Sequence, residues 1–372
     1  MLLGARFLYG FHQQDVISMS ARPKIFGHLM TEVIRKGTCV SCGSCAAVCP
    51  VKSIELDAGT PKLVGLCVAC GMCHANCPSV GFDESDMDNL VFGRTREEDE
   101  TVLGVHTAIY AVKAKDEAVL ASCQDGGAVS ALLINFLSEG GDAAVVTGLE
   151  EDAVWVAKPV VASNKGEVLA SAGTKYTSSP TLVGVGSAIS DYAREKIAVV
   201  GTPCQMRGLS RVVTGEKADA KIRDAVDLKI GLLCMETFDH GSFMEYLEGE
   251  GVDASKVSKF EIKSGRFIAH TGSDEPYSVK LSKVKDNVRP CCHSCGDFTS
   301  EYADLSVGNV GTPDGWSTVI VRNERGDAAL KAAEKAGLIE VKPLQKDDKD
   351  LGIVTKLGKK KRKDAEKHRA SE

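Results

Sequence analysis

The amino-acid sequence predicts an α/β (α+β) protein in two parts, a small cysteine-rich module followed by a larger α/β domain. First, eight of the 14 cysteines lie between Cys39 and Cys77, in two copies of the spacing C-x2-C-x2-C-x3-C-P. Second, strand-like apolar runs alternate with helical patterns from residue 104 onward, which is typical of a domain built on a largely parallel sheet. The predicted segments are an extension with a helix, the cysteine module, an acidic linker, the α/β domain and a basic tail, at 1–36, 37–82, 83–103, 104–345 and 346–372.

Composition excludes several classes of protein. A hydrophobic fraction of 43% with 26% charged residues is that of a globular protein, and the net charge of −6 gives no general case for binding nucleic acid. No apolar run approaches the ~20 residues needed to span a bilayer. The first 15 residues lack a basic segment followed by a clean apolar core, so they are not expected to be a signal peptide. Thiols that serve metal rather than disulfides predict a cytoplasmic location.

The double cysteine run predicts two [4Fe-4S] clusters. Its spacing is the ligand signature of a bacterial-type two-cluster ferredoxin, in which the fourth cysteine of each run reaches the other cluster. Zinc knuckles and disulfide frameworks fit less well, because zinc prefers two C-x2-4-C pairs. The predicted ligand sets are Cys39, Cys42, Cys45 and Cys77 for one cluster, and Cys67, Cys70, Cys73 and Cys49 for the other.

The segment that follows the cysteine module and the C-terminal tail are both unusually charged. Residues 83–100 carry eight acidic side chains against two arginines, which predicts a solvated linker or lid; ordering against a partner is the alternative. From Lys356 the tail has eight basic residues against two acidic ones up to Arg369. This predicts a disordered or helical tail, with docking on an acidic subunit or a membrane surface as the minority interpretation.

Regular elements can be placed along the chain from hydrophobic periodicity. A short helix is expected over 24–36, ended by Gly37, and a hairpin is expected within 257–272, turning at Ser264-Gly265. Strands are expected at Thr107–Val112, 143–147, 197–201 and 227–234, and helices at 129–139 and around 180–195, 205–212 and 241–248. A last α/β piece follows the hairpin.

Four of the six remaining cysteines predict a third cluster. Segments GTPCQMRGL and GLLCMET place one cysteine each after a strand, and RPCCHSCGDF supplies a C-x2-C loop. Strand ends and a loop that meet at one place would satisfy the ligand count of a cluster. The predicted ligands are Cys204, Cys234, Cys292 and Cys295. Zinc is the competing metal, Cys291 is an alternative to Cys292, and buried structural cysteines are the alternative for the first two.

Five motifs in order resemble those of a known family. GTPCQ, GLLC, C-x2-C-x-D-F, AGTKYT (172–177) and ADLSVGNVGTPDGWSTVIVR (303–322) are similar to the β subunits of F420-reducing hydrogenase and F420-linked formate dehydrogenase and to F420 dehydrogenase input subunits. The resemblance covers residues 37 to about 322. With a ferredoxin module in front, the arrangement most resembles the input subunit that oxidises reduced coenzyme F420 for an archaeal respiratory complex. It is also similar to the front half of F420-dependent sulfite reductase.

The resemblance implies FAD near the third cluster, with coenzyme F420 as the substrate that docks on it. The 306–317 loop is a weaker candidate for the flavin site, and Asn309 stands where the family usually has Asp. The flavin contacts implied by motif are Gln124, Gly126, Gly127, Ser130, Gly173, Thr174, Lys175, Tyr176, Thr202, Pro203 and Gln205.

Chemistry gives an independent reason to expect a flavin. Deazaflavin transfers a hydride whereas an iron-sulfur cluster takes one electron, and flavin can exchange between the two. No G-x-G-x-x-G is present, since GVGSAIS (184–190) lacks the third glycine, so a Rossmann site is unsupported. Gly126-Gly127 before a helix would let backbone approach a phosphate, although a simple turn has the same pattern.

Basic side chains have two predicted roles at this site. Lys175 is the predicted catalytic residue, because a positive charge near the flavin pyrimidine edge would stabilise its anionic reduced form; an ordinary surface lysine is the alternative. Arg207, Lys263 and Arg266 are candidate partners for the carboxylates and phosphodiester of F420.

These observations together predict oxidation of reduced F420 by hydride transfer to FAD. Electrons would then pass singly through three [4Fe-4S] clusters to other subunits of an electron-transfer complex. The favoured context is peripheral attachment to a membrane respiratory complex, which would place this cytoplasmic chain at the inner face of the cell membrane. The alternatives are an F420-reducing subunit of a hydrogenase, formate dehydrogenase or heterodisulfide reductase complex, a plant-type chlorophyll reductase of the same superfamily, and a flavin-free iron-sulfur relay.

Overall fold

The computed structural model describes residues 22–272, 275–345 and 348–371, so most of the predicted N-terminal extension lies outside the described residues. The first helix, α1 (Phe26–Leu29), continues through a π-helical turn over Met30–Ile34. Phe26, Leu29 and Val33 are buried against the cysteine module. The helix predicted over 24–36 is confirmed.

The cysteine module has an internal repeat in its backbone. Its elements are helix α2 (Ser44–Ala47), strands β1 (Ile54–Asp57) and β2 (Thr60–Leu63), and helix α3 (Met72–Ala75). The two strands pair as an antiparallel hairpin. Each short helix follows a glycine in the left-handed region, Gly43 at φ 90° and Gly71 at φ 78°, where an L side chain would be strained. The two cysteine runs therefore turn in the same way around their ligands.

Eleven strands follow in the described part of the chain, and eight of them form one large sheet. The strands are β3 (Ala108–Ala114), β4 (Ala143–Leu149), β5 (Ala157–Ala162), β6 (Ile197–Gly201), β7 (Val226–Leu232), β8 (Lys259–Lys263), β9 (Arg266–His270), β10 (Tyr277–Lys280), β11 (Leu305–Gly308), β12 (Ser317–Val321) and β13 (Ile339–Pro343). The large sheet has the order β13-β3-β12-β11-β7-β6-β4-β5.

The large sheet is mixed, so the prediction of a largely parallel sheet is wrong. Strands β4, β6, β7 and β11 pair in parallel at its centre, whereas β5, β12, β3 and β13 join by antiparallel pairings. The loops from β4 to β5 and from β11 to β12 are too short for a parallel crossover. The parallel centre still brings the carboxyl ends of β6 and β7 to one edge.

Helices cover both faces of the large sheet. The helices of this part of the chain are α4 (Glu84–Phe92), α5 (Glu117–Ser122), α6 (Ala128–Ser138), α7 (Lys165–Ala170), α8 (Thr181–Ser190), α9 (Pro203–Thr214), α10 (Ala220–Ala225), α11 (His240–Gly249), α12 (Pro290–His293), α13 (Glu324–Lys335) and α14 (Leu351–Arg369), not all of which contact that sheet. Leu132 of α6 and Leu330 of α13 belong to one core. Leu182 of α8 and Leu209 of α9 belong to the core on the other face, which also includes Cys42. The cysteine module therefore packs on the face that α8 and α9 cover.

A three-stranded antiparallel sheet, β8–β10, forms a separate aromatic core with α11. Phe238, Phe243, Phe260 and Phe267 are buried there with ring centroids 4.9–6.4 Å apart. Strands β8 and β9 are joined by a two-residue turn with both residues at positive φ, as a type I′ hairpin requires. The hairpin predicted at Ser264-Gly265 is confirmed.

The acidic segment is not a solvated linker. It contains α4 and a 3₁₀ turn over Glu98–Glu100, and Asp88 is 1% exposed. Arg96 donates to Asp88 (Nε to Oδ2, 2.7 Å) and to the buried Glu301 (Nη1 to Oε2, 2.7 Å). The two arginines of the segment pair with its own acids and with Glu301, which lets the segment pack on the α/β domain.

The basic tail forms a 19-residue helix, α14, which is the helical alternative of the prediction. Leu351 and Val354 are buried, and Arg362 donates to both oxygens of Glu301 at 2.6 and 2.8 Å. None of the described helices is both long enough and apolar enough to cross a bilayer.

Candidate redox centres

The first cavity of the cysteine module is lined by four thiols. Leu29, Val33 and Ile34 of the N-terminal helix form its apolar wall. Burial raises the pKa of Cys42 to about 12 and that of Cys77 to about 11, because a thiolate is poorly solvated there. The four lining cysteines are Cys39, Cys42, Cys45 and Cys77.

The second cavity is lined by the other four cysteines of the module. Phe26, Ile54 and Leu63 contribute apolar walls. Backbone amides point at two of its sulfurs: Ser53 N lies 3.3 Å from Cys49 Sγ, and Ala69 N lies 3.4 Å from Cys67 Sγ. Such N–H···S contacts stabilise thiolate ligands. The lining cysteines are Cys49, Cys67, Cys70 and Cys73.

Both cavities contain the fourth cysteine of the opposite run. Cys77 lies with the first run, and Cys49 lies with the second. A group with four metal corners would take all four thiols in each cavity, and a thiolate bound to iron no longer carries the cost of an isolated buried charge. The donor set and the apolar walls therefore fit a [4Fe-4S] cluster at each place.

A third group of thiols lies where β6 and β7 end. Thr202 follows β6 and caps α9, so that Cys204 occupies the first turn of the helix, with its Sγ 3.3 Å from Thr202 Oγ1. Cys234 follows β7, and its amide donates to Phe298 O at 2.9 Å. Burial, together with the thiols of Cys295 and Cys292, raises the pKa of Cys204 to about 12. The loop cysteines therefore lie next to the strand-end cysteines.

Cys292, rather than Cys291, faces this group. The amide of Thr237 lies 3.4 Å from Cys292 Sγ, and Thr237 belongs to the loop that carries Cys234. The hydroxyl of Thr237 also lies 3.6 Å from Cys292 Sγ. Cys291 is 6% exposed and follows Pro290 at the start of α12.

Among the described residues, no three His, Cys, Asp or Glu side chains are close enough together to hold a single metal ion. The ligands of a cubane cluster are bound to four separate irons and are therefore spread farther apart than those of one ion. The third group has the right donors for such a cluster, four cysteines from two strand ends and a C-x2-C loop.

The three groups of thiols lie next to one another in space. Cys45 and Cys77 of the first cavity pack in one core with Cys73 of the second. Helix α9, whose first turn carries Cys204, also reaches the first cavity, because a Cβ at Gly208 would lie 3.4 Å from Cys42 Sγ. The order in space is thus the third group, the Cys39/42/45/77 cavity and the Cys49/67/70/73 cavity.

Two arginines fasten the cysteine module to the α/β domain. Arg289 donates to the carbonyls of Cys39 and Val40, both at 3.2 Å, and to Ser41 Oγ at 2.6 Å. Arg211 of α9 donates to the carbonyls of Cys77 and Val80. Sequence reasoning missed both arginines; the place of Arg289 directly before the cysteine-rich PCCHSC segment was the available signal.

The Gln124 loop has mainly structural contacts. Gln124 Oε1 accepts a hydrogen bond from Thr174 N at 3.2 Å, which joins two of the segments predicted to bind flavin. A Cβ at Gly126 would lie 2.4 Å from Ser317 N, so that this glycine permits close backbone packing. Gly127 caps α6 at φ 74°, and Ser130 is buried in that helix.

The segment 173–179 connects the Gln124 loop to the third group of thiols. Gly173 is at φ 80°, and Lys175 Nζ donates to the carbonyls of Ser171 (2.6 Å), Ala172 (2.8 Å) and Gly173 (3.2 Å). Burial lowers the pKa of Lys175 to about 8. Lys175 is thus not an ordinary surface lysine, and its ammonium group caps the end of α7.

Tyr176 packs in the aromatic core, and burial raises its pKa. Its hydroxyl accepts a hydrogen bond from Ile262 N at 3.1 Å. Phe238, four residues after Cys234, donates from its amide to Tyr176 O at 2.8 Å. The segment 173–179 is thereby held against the loop that carries a cysteine of the third group.

The predicted contacts at the start of α9 form a capping box. Thr202 N donates to Gln205 Oε1 at 2.8 Å, and Pro203 occupies the first helical position. Gln205 Nε2 donates to Ser179 O at 2.6 Å. Within the described residues the buried Ser179 hydroxyl has no hydrogen-bond partner, which leaves a polar atom for a bound group beside these predicted contacts.

Comparison with known proteins places the chain in a family. The N-terminal and C-terminal parts of the family described as coenzyme F420 hydrogenase/dehydrogenase, beta subunit, match residues 109–185 and 194–347, and a 4Fe-4S binding domain matches residues 32–55. The coenzyme F420 hydrogenase subunit beta of Methanothermobacter thermautotrophicus is 37% identical over 272 residues, which cover 73% of this chain and 96% of that protein.

Two further relatives extend the comparison. A subunit of the F(420)H(2) dehydrogenase of Methanosarcina mazei is 31% identical over 356 residues, 91% of this chain and 93% of that protein. A chain in the structure of the F420-reducing [NiFe] hydrogenase complex from Methanosarcina barkeri superposes with a TM-score of 0.69 at 32% identity, covering 72% of this chain and 92% of that one. This chain therefore belongs to the family of coenzyme F420 hydrogenase/dehydrogenase beta subunits and carries a 4Fe-4S binding domain ahead of the family's own two parts.

Proposed function

We propose that this chain is the entry subunit of an F420-linked electron-transfer complex. It takes electrons as a hydride from reduced coenzyme F420 and delivers them singly to a partner redox protein. The observation that supports this proposal is the adjacency of the three thiol groups: Cys45 and Cys73 share one core, and helix α9 runs from Cys204 to a position beside Cys42. The names of the relatives supply the choice of F420 as the substrate.

The residues of this chain are suited to holding a series of one-electron carriers. When bound, FAD exchanges an electron pair for single electrons, and each [4Fe-4S] cluster carries one electron. Cys204 and Cys234 are half-buried at the sheet edge, and desolvation raises the pKa of both thiols. Arg289 lies two residues before Cys291, at the start of the loop that carries Cys292 and Cys295. Its contacts with residues 39–41 keep the third group at a fixed separation from the Cys39/42/45/77 cavity.

The flavin is proposed to lie at the edge formed by the Gln124 loop, the segment 173–179 and the start of α9. Three features favour this place: the Gln124–Thr174 contact, the Ser179 hydroxyl left without a partner among the described residues, and the buried ammonium of Lys175. The edge borders the third thiol group, because Cys204 lies between Pro203 and Gln205. Lys175 would stabilise negative charge on the reduced cofactor, as an ammonium does in a site with little water.

The opposite end of the series reaches the surface. Cys67 and Cys70 are exposed, in contrast to Cys73 and Cys77. Leu66 is 90% exposed, Val68 56% and Val64 55%. Apolar side chains next to exposed thiols are suited to a protein surface that accepts electrons at short range. A partner subunit is therefore proposed to dock on residues 63–70.

The test is anaerobic purification of the full chain, with iron, flavin and F420 oxidation measured on one sample. Three clusters and one flavin predict about twelve irons per chain. Oxidation of reduced F420 with an artificial acceptor should require the flavin. A chain with twelve irons but no flavin absorbance and no F420 oxidation would contradict the proposed function and favour a flavin-free relay. Reduction of F420 that proceeds faster than its oxidation would favour the reducing direction.

A further inference from the structure

Helix α14 forms one wall of the third thiol group. A Cβ added at Gly296, inside the loop that follows Cys295, would lie 3.7 Å from Arg362 Cα and 3.9 Å from Ala365 Cβ. The ring of His293 on the same loop lies 5.5 Å from that of His368, centroid to centroid. The matched part of the family ends at residue 347, so α14 lies beyond it.

One basic residue of α14 differs from the others. Lys361 is 6% exposed, whereas Lys359, Lys360 and Lys363 are exposed. Lys361 Nζ donates to the backbone carbonyl of Cys234 at 2.5 Å. A lysine at this degree of burial is uncommon without a negative partner.

The negative partners of Lys361 would be the thiolates of a bound cluster. Lys361 is buried and its ammonium group donates to the backbone of Cys234, one of the four cysteines of the third group. Four thiolates coordinated beside it would supply the negative charge that a buried ammonium group needs.

The helix is held so that this lysine faces inward. Arg362 pairs with Glu301 at 2.6 Å and with Glu84 at 3.2 Å. Gly358, one turn before, lies against Val102, where a Cβ would be only 2.8 Å from the valine side chain. These contacts on both sides of Lys361 fix its orientation independently of the thiols.

We propose that Lys361 is a positioning residue that sets the reduction potential of the third cluster, so that α14 is part of this redox centre. Each electron taken up makes a cluster site one charge more negative, and a fixed positive charge close by stabilises the reduced form. The cluster is thereby kept able to accept electrons from the proposed flavin. The inference rests on the proposed function, because it requires a cluster at Cys204, Cys234, Cys292 and Cys295.

The test is an EPR-monitored redox titration of the full-length anaerobic protein, with iron counted for each variant. Lys361→Met removes the charge and keeps the length of the side chain, Lys361→Arg keeps the charge, and Lys359→Met is the exposed control for loss of a lysine from the same helix. In Lys361→Met the midpoint potential of one of the three clusters should become more negative. The expected change is about tenfold in the ratio of oxidised to reduced cluster at a fixed potential, which is about 59 mV for a one-electron couple. Lys361→Arg should stay close to wild type, and Lys359→Met should be unchanged.

Each outcome decides the inference. Unchanged midpoints in Lys361→Met with twelve irons retained would overturn it. If Lys361→Met loses four irons, retention by Lys361→Arg would support a charge role, and loss in both variants would show a packing role and overturn it. A wild-type chain without a third set of cluster signals would instead contradict the proposed function, so the two failures are distinguishable.

Discussion

The cysteine module and the third thiol group are two different ways to build a site with the same donors. In the module, all eight cysteines lie within residues 39–77, and repeated left-handed glycines turn each run around its cavity. In the third group, the cysteines are 91 residues apart at the extremes, from Cys204 to Cys295, and are brought together by neighbouring parallel strands and a loop. The first kind of site depends on local backbone conformation, and the second depends on the whole sheet.

The two sites also differ in their exposure. In the module, Cys67 and Cys70 are exposed, whereas Cys204, Cys234, Cys292 and Cys295 of the third group are all half-buried. An exposed thiol can meet a partner directly, and no thiol of the third group is exposed. The module therefore has an open end at the surface, and the third group lies at the other end of the series, beside the proposed flavin.

The largest expected effect comes from removing a ligand of the assembled site. Cys292→Ala should lose about four of about twelve irons and nearly all electron transfer from F420 to the module, because it removes the thiol that the Thr237 amide contacts. Iron content and the rate of module reduction, followed by EPR, measure both effects.

Cys291→Ala is the matched control, since it removes the adjacent thiol. It should keep all the iron and most of the rate. Loss of iron in Cys291→Ala with retention in Cys292→Ala would reverse the ligand assignment. If both variants contained as much iron as wild type, neither cysteine would be a ligand, and the prediction of a third cluster would be contradicted.

The same contrast explains what the sequence could predict. The ligand spacing within residues 39–77 is visible in the sequence, because local turns bring those thiols together. The assembled site was predictable as a list of cysteines, since β6 and β7 were recognised as strands whose ends carry Cys204 and Cys234. The choice between Cys291 and Cys292 depends on which thiol faces Thr237, which no spacing rule provides.

Long-range packing accounts for the expectations that differ from the structure. The acids of residues 83–100 suggested solvation, but Arg96 and Glu301 lie 205 positions apart in the chain and pair at 2.7 Å. The basic tail is helical, as one alternative of the prediction has it, but its composition did not indicate that Lys361 would meet Cys234 through the packing of α14. The sheet is mixed because the short loops before β5 and β12 allow only antiparallel pairing with the preceding strand. Loop length is harder to recognise in a sequence than the strands themselves.

A middle-sized effect is expected at the open end. Leu66→Glu places a charge on a side chain that is 90% exposed, so the fold should be unaffected. Burial of a leucine in an interface contributes about 1.5–3 kcal/mol, so affinity for the partner should fall roughly tenfold or more. The rate of F420 oxidation with the co-purifying complex as electron acceptor should decrease at low concentrations of that complex. The rate with methyl viologen as acceptor should not change.

Leu90→Glu is the control for this surface, because Leu90 of α4 is also exposed, at 53%, and lies outside the module. A similar loss with both variants would indicate a general effect of added charge. Unchanged transfer in Leu66→Glu would mean that the partner docks elsewhere, and the exposed thiols would lose their role as the exit.

The smallest expected effect is at the end beside the proposed flavin, where the half-buried Lys175 contacts the end of α7. Its pKa is lowered by burial from 10.5 to about 8 in the folded chain. Between these two values the unfolded state binds more protons than the folded state, so the contribution of Lys175 to stability rises as pH increases. From pH 8 to pH 9 wild type should gain about 1 kcal/mol of stability relative to Lys175→Met, or about 2 °C in melting temperature.

Lys165→Met, at an exposed lysine of α7, should show no such difference. Parallel pH profiles for wild type and Lys175→Met would mean that Lys175 stays protonated throughout, as a negative cofactor bound beside it would cause. Because of that, the experiment should be run with and without flavin: a pH effect present only in flavin-free protein would place the cofactor at this lysine.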